Sequence, residues 1–223
     1  MVLVMIYVLP DIPEKNKLKS YEKLLFSVFT TFKRHTTLIR ILLHSGLLFG
    51  LIFNIFWTSL TFLLSEAPFN YNTFQIGLVS LAGLISAACG LYIGKLQDKG
   101  LSVPALGAFI VLILITMICS FIFSNSIVAI VIIVAIFSIG VQGITVLSQS
   151  RLFALSNDER SRLNTVFVVN NFIFGAIGSA LASFLWSFGG WSYVMTGSIL
   201  ISFIALIVWI SSRKSFYEIN NIS

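Results

Sequence analysis

Six long apolar runs, parted by short polar connections, limit what this 223-residue chain can become more than any other feature. They lie at 38–64, 74–96, 103–123, 127–147, 164–186 and 192–210. A helix rising 1.5 Å per residue needs about 20 residues to cross a hydrocarbon core about 30 Å thick, so each run is long enough to span. Lipid offers backbone amides no hydrogen-bond partner, and only a helix or a closed barrel satisfies them internally. Barrel strands are about half as long and alternate in polarity, whereas these runs are continuously apolar. The predicted fold class is an all-α membrane protein, a six-transmembrane-helix bundle.

Charge placement tests that count independently of hydropathy, because short cytoplasmic loops keep Lys and Arg while translocated ones lose them. Only 10% of the residues are charged, against about 25% in soluble domains, so each charge is informative. Lys15, Lys17, Lys19, Lys23, Lys33, Arg34 and Arg40 precede or open the first run. Lys95 and Lys99 follow the second, Arg151, Arg160 and Arg162 the fourth, and Arg213 and Lys214 the sixth. These are all 14 basic residues, and the alternate connections hold none. The pattern predicts both termini in the cytoplasm of a cell inner membrane. The net charge of +6 then reflects topology and attraction to anionic lipid headgroups rather than nucleic acid binding.

Residues 1–36 are expected to hold the remnant of a preceding span, a basic cytoplasmic linker and a short interfacial helix. Residues 37–211 would form the bundle, and 212–223 a cytoplasmic tail. Met1 to Leu9 is too short to cross a bilayer and ends at Pro10, as the close of an earlier helix would. Cys89 and Cys119 fall inside spans and read as small packing residues.

In the first run Gly50, Asn54, Trp57, Thr58, Thr61 and Ser65 recur at intervals of three and four, which places them along one helical face. Such a face is costly toward lipid and is expected to meet another helix or a solute. Trp57 offers a stacking surface, and Asn54, Thr58 and Thr61 offer hydrogen bonds. The competing reading is that these groups bond only to neighbouring helices or to their own backbone. Gln142, between Gly140 and Gly143, would bring an amide close to a neighbouring backbone. Asn170 and Asn171 with Gly175 and Gly178 form a small-residue face suited to tight helix packing. His44 is read as a residue at the headgroup level. The third run, apolar on all sides, is expected to face lipid.

The eight acidic residues all lie outside the apolar runs, so a proton or sodium relay within this chain lacks its usual carboxylate. No nucleophile, base or metal constellation stands at a usable spacing, and no phosphate-cradling glycine loop is followed by lysine. The expectation is a non-enzyme with no cofactor or metal, whose partners are the lipid bilayer and a small organic solute.

Two stretches go beyond general membrane grammar. Gly94, Leu96, Asp98, Lys99 and Gly100 form a loop in which an acid is followed by a base and then glycine. Gln149, Ser150 and Arg151 are followed by Arg160, Arg162, Asn164, Gly175 and Gly178. With these residues the chain resembles the major facilitator superfamily. The first stretch is similar to the loop between the second and third helices of a six-helix half, without the usual spacer before the last glycine. The second is similar to the tenth-to-eleventh helix region of bacterial efflux carriers. Leu9, Pro10 and Asp11 resemble the end of the sixth helix.

The resemblance implies the C-terminal half of a major facilitator fold, with an N-terminal six-helix half as partner. It implies that the first and fourth spans line the cavity, that the second and fifth meet the other half, and that the third and sixth are peripheral. It also implies conformational or gating roles for Gly94, Asp98, Arg151, Arg162 and Asn164, with Asp98 pairing to Arg151 across the cytoplasmic face. Where proton-coupled N-terminal halves carry an Arg before a Gln-Gly pair, this chain has Ile139. The expected function is therefore a truncated or half-length secondary transporter whose parent is a proton-coupled exporter of small organic solutes by alternating access, inactive alone. The alternative is a stand-alone six-helix protein acting as a homodimeric carrier or scaffold.

Overall fold

The first apolar run becomes one continuous rod in three parts, α1 (Thr36–Ser45), a π-helical segment (Gly46–Ile52) and α2 (Phe53–Ser65). In the widened turns the N–H of Phe53 reaches back to the carbonyl of Leu48, one residue beyond the α-helical partner. The computed structural model describes residues 36–155 and 160–220, and every element among them is helical. The expected remnant span, linker and interfacial helix before residue 36 lie outside the described residues.

After α2 the chain turns, and Asn72 starts the second rod. Its side chain accepts from the N–H of Gln75 at 3.0 Å, while the Gln75 side chain accepts from the N–H of Asn72 at 2.9 Å. This reciprocal cap satisfies two amides that a helix start leaves bare. The second rod comprises α3 (Thr73–Ser80), a 3-10 turn (Leu81–Leu84) and α4 (Ile85–Asp98). Gly100, at φ +71°, closes it in the left-handed conformation that favours glycine. Then come α5 (Ser102–Ile122) and α6 (Ile127–Ala154), the latter capped by Ser126. Helix α6 runs past the expected end at 147, so Gln149, Ser150 and Arg151 belong to a helix rather than a loop.

The last helix, α7 (Arg160–Asn220), covers both the fifth and the sixth apolar runs and is broken at Gly189 and Gly190. A Cβ built on Gly197 would lie 2.8 Å from the side chain of Leu185. On a straight helix residues 185 and 197 would stand about 18 Å apart, so the chain folds back between them. Asn170 bonds to Leu42, Gly178 touches Leu51 and Trp186 packs on Phe62, so the arm before the break runs parallel to the first rod. Trp191 bonds to Ser120 and Trp209 packs on Gly107, so the arm after it runs antiparallel to α5. The final turns of α7 extend into the stretch expected as a tail.

Among the described residues five helices are long and apolar enough to cross a membrane, the last of them the 54 residues of Arg160–Arg213. The architecture is thus an all-α membrane bundle. At its centre Phe56 and Phe137 pack with ring centroids 4.3 Å apart, and Trp191 sits 6.3 Å from Phe56. The third run, expected to face lipid, has one face turned outward and one packed inward. Leu106, Ile110, Ile113 and Met117 are buried, while Val111, Ile115, Ile118 and Ile122 are exposed. Hydropathy gives no hint of this division, because lipid and protein ask for the same side chains. The second rod is the least enclosed, with only 12% of its apolar window buried against 56% for the first.

Candidate functional site

Two cavities flank the first rod and share Phe49 and Phe53 as a common wall. The larger, about 580 Å³, lies against the first arm of α7 and is lined by Asn54, Phe167, Asn171, Phe172 and Gly175 among others. The smaller, about 260 Å³, lies against the second rod and α6. Trp57, Ser80, Gly83, Ser86, Ser138 and Gln142 contribute to it.

The candidate face of the first rod therefore divides. Asn54 faces α7, where its Nδ2 donates to the Gly50 carbonyl at 2.7 Å and would lie 2.9 Å from a Cβ on Gly175. Trp57, 60° around the helix from Asn54, faces the smaller cavity instead. Thr58 is half-buried, and Thr61 is exposed with its hydroxyl donating to the Trp57 carbonyl at 3.1 Å. Gln142 reaches toward the second rod, its Nε2 3.2 Å from where a Gly90 Cβ would stand. Of the five solute-pathway candidates, Trp57 and Gln142 share a cavity, Asn54 lines the other, and Thr58 and Thr61 line neither.

Ser138 was not among the residues singled out by sequence, and it is the most informative member of the smaller cavity. Its side chain is 7% exposed, and its Oγ finds no hydrogen-bond partner among the described residues; neither does the Trp57 Nε1. Its sequence signal is a hydroxyl four residues before Gln142, on the same face of an apolar helix.

At the basic end of the bundle the polar groups are tied together. Arg151 is buried at 2% exposure, and its Nε and Nη2 both donate to Ser102 Oγ, at 3.2 and 3.1 Å. The contact joins the last turns of α6 to the first turn of α5. Gln149 donates to Asn164 Oδ1 at 3.1 Å, which links α6 to α7. Ser45 donates to Asn171 Oδ1 at 2.7 Å. His44 is fully buried, not at a headgroup surface, and its Nδ1 donates to the Arg40 carbonyl at 2.6 Å. Arg162 is half-buried near the start of α7. The side chain of Asp98 lies outside the described residues, and so does its expected pairing with Arg151. Gly94 has open space around it.

Among the described glycines, Gly178 comes nearest to another segment's backbone: an added Cβ would stand 2.6 Å from the Leu51 carbonyl oxygen. Gly46 and Gly50 make room for Phe174 in the same crossing. These glycines, with Gly175, join the first rod to α7 and so set the shape of the larger cavity.

No family model matches the chain. It is similar to an uncharacterized transporter, YgaY, of Escherichia coli O157:H7, and to the transporter of the same name in Escherichia coli strain K12. Each is 33% identical over 202 residues, which is 90% of this chain and 50% of the relative. The chain spans about half the length of the curated relatives it matches. It is a helical membrane protein related to transporters.

Proposed function

We propose that this bundle is one of the two six-helix halves of a major-facilitator-type secondary carrier, which exports small organic solutes by alternating access. The observation that carries the reading is the likeness to transporters over nearly all of this chain and half of theirs. Carriers of this kind hold their solute between two bundles near the bilayer midplane, and one bundle supplies half of the walls. The thinly covered second rod and the cavities beside the first rod support that role. Under this reading the two arms of α7 cross separately, making six spans with both ends in the cytoplasm. Proton coupling is assigned to the other bundle, because Glu66, Asp98, Asp158 and the remaining acids of this chain stand outside the apolar runs.

The topology is tested with single cysteines in a chain carrying Cys89→Ser and Cys119→Ser. A membrane-impermeant maleimide should label Glu66→Cys on intact cells, and Lys99→Cys only after permeabilisation. Equal labelling of the two would end the topological reading, and with it the carrier assignment.

Transport is tested in proteoliposomes with an entrapped pH-sensitive dye and a panel of neutral aromatic solutes outside. The chain alone should give no solute-dependent proton flux. Flux should appear when it is co-expressed with the complementary half of its Escherichia coli relative. Flux from the chain alone would show that it needs no second bundle of that kind, and a silent pair would count against proton-coupled carriage.

A further inference from the structure

We infer that the larger cavity is a lateral binding slot for a neutral, lipophilic molecule with a slim apolar body and one O–H or N–H donor, such as an alkylphenol. This rests on the carrier reading, for which it names the solute class. Two parallel rows on the first arm of α7 shape the slot. Phe167, Asn171 and Gly175 are buried and form its floor, while Val168, Phe172 and Ala176, each one position on, are exposed and form its rim. The opposite wall is the half-buried pair Phe49 and Phe53, whose ring centroids stand 5.6 Å apart. The slot therefore opens on the flank of the bundle and follows α7 from Phe167 to Ser179, about 18 Å of helical rise. Its volume of about 580 Å³ lies within the ~300–1,000 Å³ of small-molecule sites.

Asn54 supplies the polar contact. Its Nδ2 is spent on the Gly50 carbonyl at 2.7 Å. The amide cannot be turned over, because Oδ1 would then face that carbonyl oxygen with no proton between them. Oδ1 is thus the open end of the side chain. It accepts from no donor among the described residues, and it is not one of the unpaired polar atoms that the bundle encloses. Asn54 is half-buried and borders this slot, so the accessible oxygen is offered to whatever enters. An amide oxygen only accepts, which obliges the ligand to bring a donor.

The walls set the rest of the specificity. Asn54 stands against Gly175, which leaves about 12 Å of helical rise between that level and Phe167 for the body of the ligand. Phenyl rings from both helices wall this stretch, and they favour an aromatic ring or a short alkyl chain attached to the donor. None of the lining residues is ionisable, so a charged ligand would be desolvated with no countercharge to offset the cost. Asn54 also lies near the middle of the first apolar run, well away from headgroup depth. The donor it receives therefore belongs to a molecule immersed in the bundle rather than to a lipid headgroup.

The test uses the full chain in lipid nanodiscs, labelled with 15N at the asparagine side chains, with ligands compared at equal mole fraction in the lipid. The Asn171 signal, from the floor of the slot, is assigned by its loss in Asn171→Ser. Addition of para-butylphenol should shift that signal saturably. Its methyl ether keeps the oxygen and loses the donor, so it should bind roughly threefold to tenfold more weakly, as one lost neutral hydrogen bond implies. The cation para-butylbenzylammonium, which has donors but carries a charge, should also bind more weakly than the phenol. Asn54→Leu should bring phenol and ether to equal affinity. Ala176→Phe, a change at the exposed rim, should exclude both. Equal binding of phenol and ether to the parent chain would overturn the assignment, and so would a preference for the phenol that survives Asn54→Leu. Tighter binding of the ammonium than of the phenol would do the same. The comparison of phenol with ether needs no substitution, so it decides the matter even where Asn54→Leu fails to fold. Because binding is read on this chain alone, it separates from transport. A saturable Asn171 shift with no flux of para-butylphenol from the paired bundles would leave the site standing and remove the carrier. Coupled flux indifferent to Ala176→Phe, with no shift, would remove only the site.

Discussion

Replacing Gly178 with alanine should destabilise the bundle more than any other glycine substitution of equal size in the first-rod crossing. The added Cβ would meet the Leu51 carbonyl oxygen at 2.6 Å, its Cα at 3.1 Å and its carbonyl carbon at 3.2 Å. All three are backbone atoms, so no rotamer change relieves the clash, and the first rod must move away from α7. Inserting one carbon into a well-packed contact costs about 1–3 kcal/mol, and an unyielding backbone puts this site at the upper end. Close approach of small residues is also a main source of helix association in lipid, where the hydrophobic effect gives none. At Gly175 the obstacle is the end of the Asn54 side chain, at 2.9 Å, which can swing aside, so Gly175→Ala should cost less. Gly94→Ala is the control, since nothing lies within 4 Å of its added carbon. Scaled from soluble domains of this size, a loss of about 3 kcal/mol lowers the midpoint of thermal unfolding by roughly 6–12 °C. Differential scanning fluorimetry in detergent should show that drop for Gly178→Ala and almost none for Gly94→Ala. Matching midpoints would mean that the first rod and α7 do not cross at this distance.

That crossing was visible in the sequence as a pair of glycines beside Asn170 and Asn171, because small residues at helical spacing have one principal use in an apolar helix. The all-helical membrane fold was legible for an equally simple reason: hydrocarbon permits few backbone solutions, and long apolar runs without alternation select one of them. What hydropathy leaves out is direction around the helix axis. It grouped Asn54 and Trp57 on one face, although the 60° between them is enough to send each into a different cavity. It passed over Ser138, since a single hydroxyl barely alters the polarity of α6 and its counterpart Gly83 belongs to another helix. The π-helical widening at Gly46–Ile52 leaves no mark that hydrophobic periodicity registers, since the run is apolar throughout. A charge misleads in another way. Arg151 was placed with the loop residues because an apolar run ends before it, yet α6 continues and carries it into the protein.

That burial leads to the second large effect, expected when Arg151 is replaced by alanine. The side chain ranks among the largest fully enclosed ones, so truncation empties space in the basic end of the bundle and removes two hydrogen bonds to Ser102. A hydrogen bond from a charged donor is worth about 1.5–3 kcal/mol, so the loss should reach about 3 kcal/mol once the emptied volume is included. Lysine should rescue little, because Ser102 receives two nitrogens of a planar fork and an ammonium on a flexible stem brings one. Ser102→Ala alone should cost less than Arg151→Ala, since the guanidinium stays packed. In the Arg151→Ala background the same change should add almost nothing, the mark of a pair that acts together. Thermal unfolding of the four proteins in detergent gives the coupling directly. Fully additive losses would mean that Ser102 and Arg151 are independent, and α5 and α6 would then lack the polar tie that joins their ends.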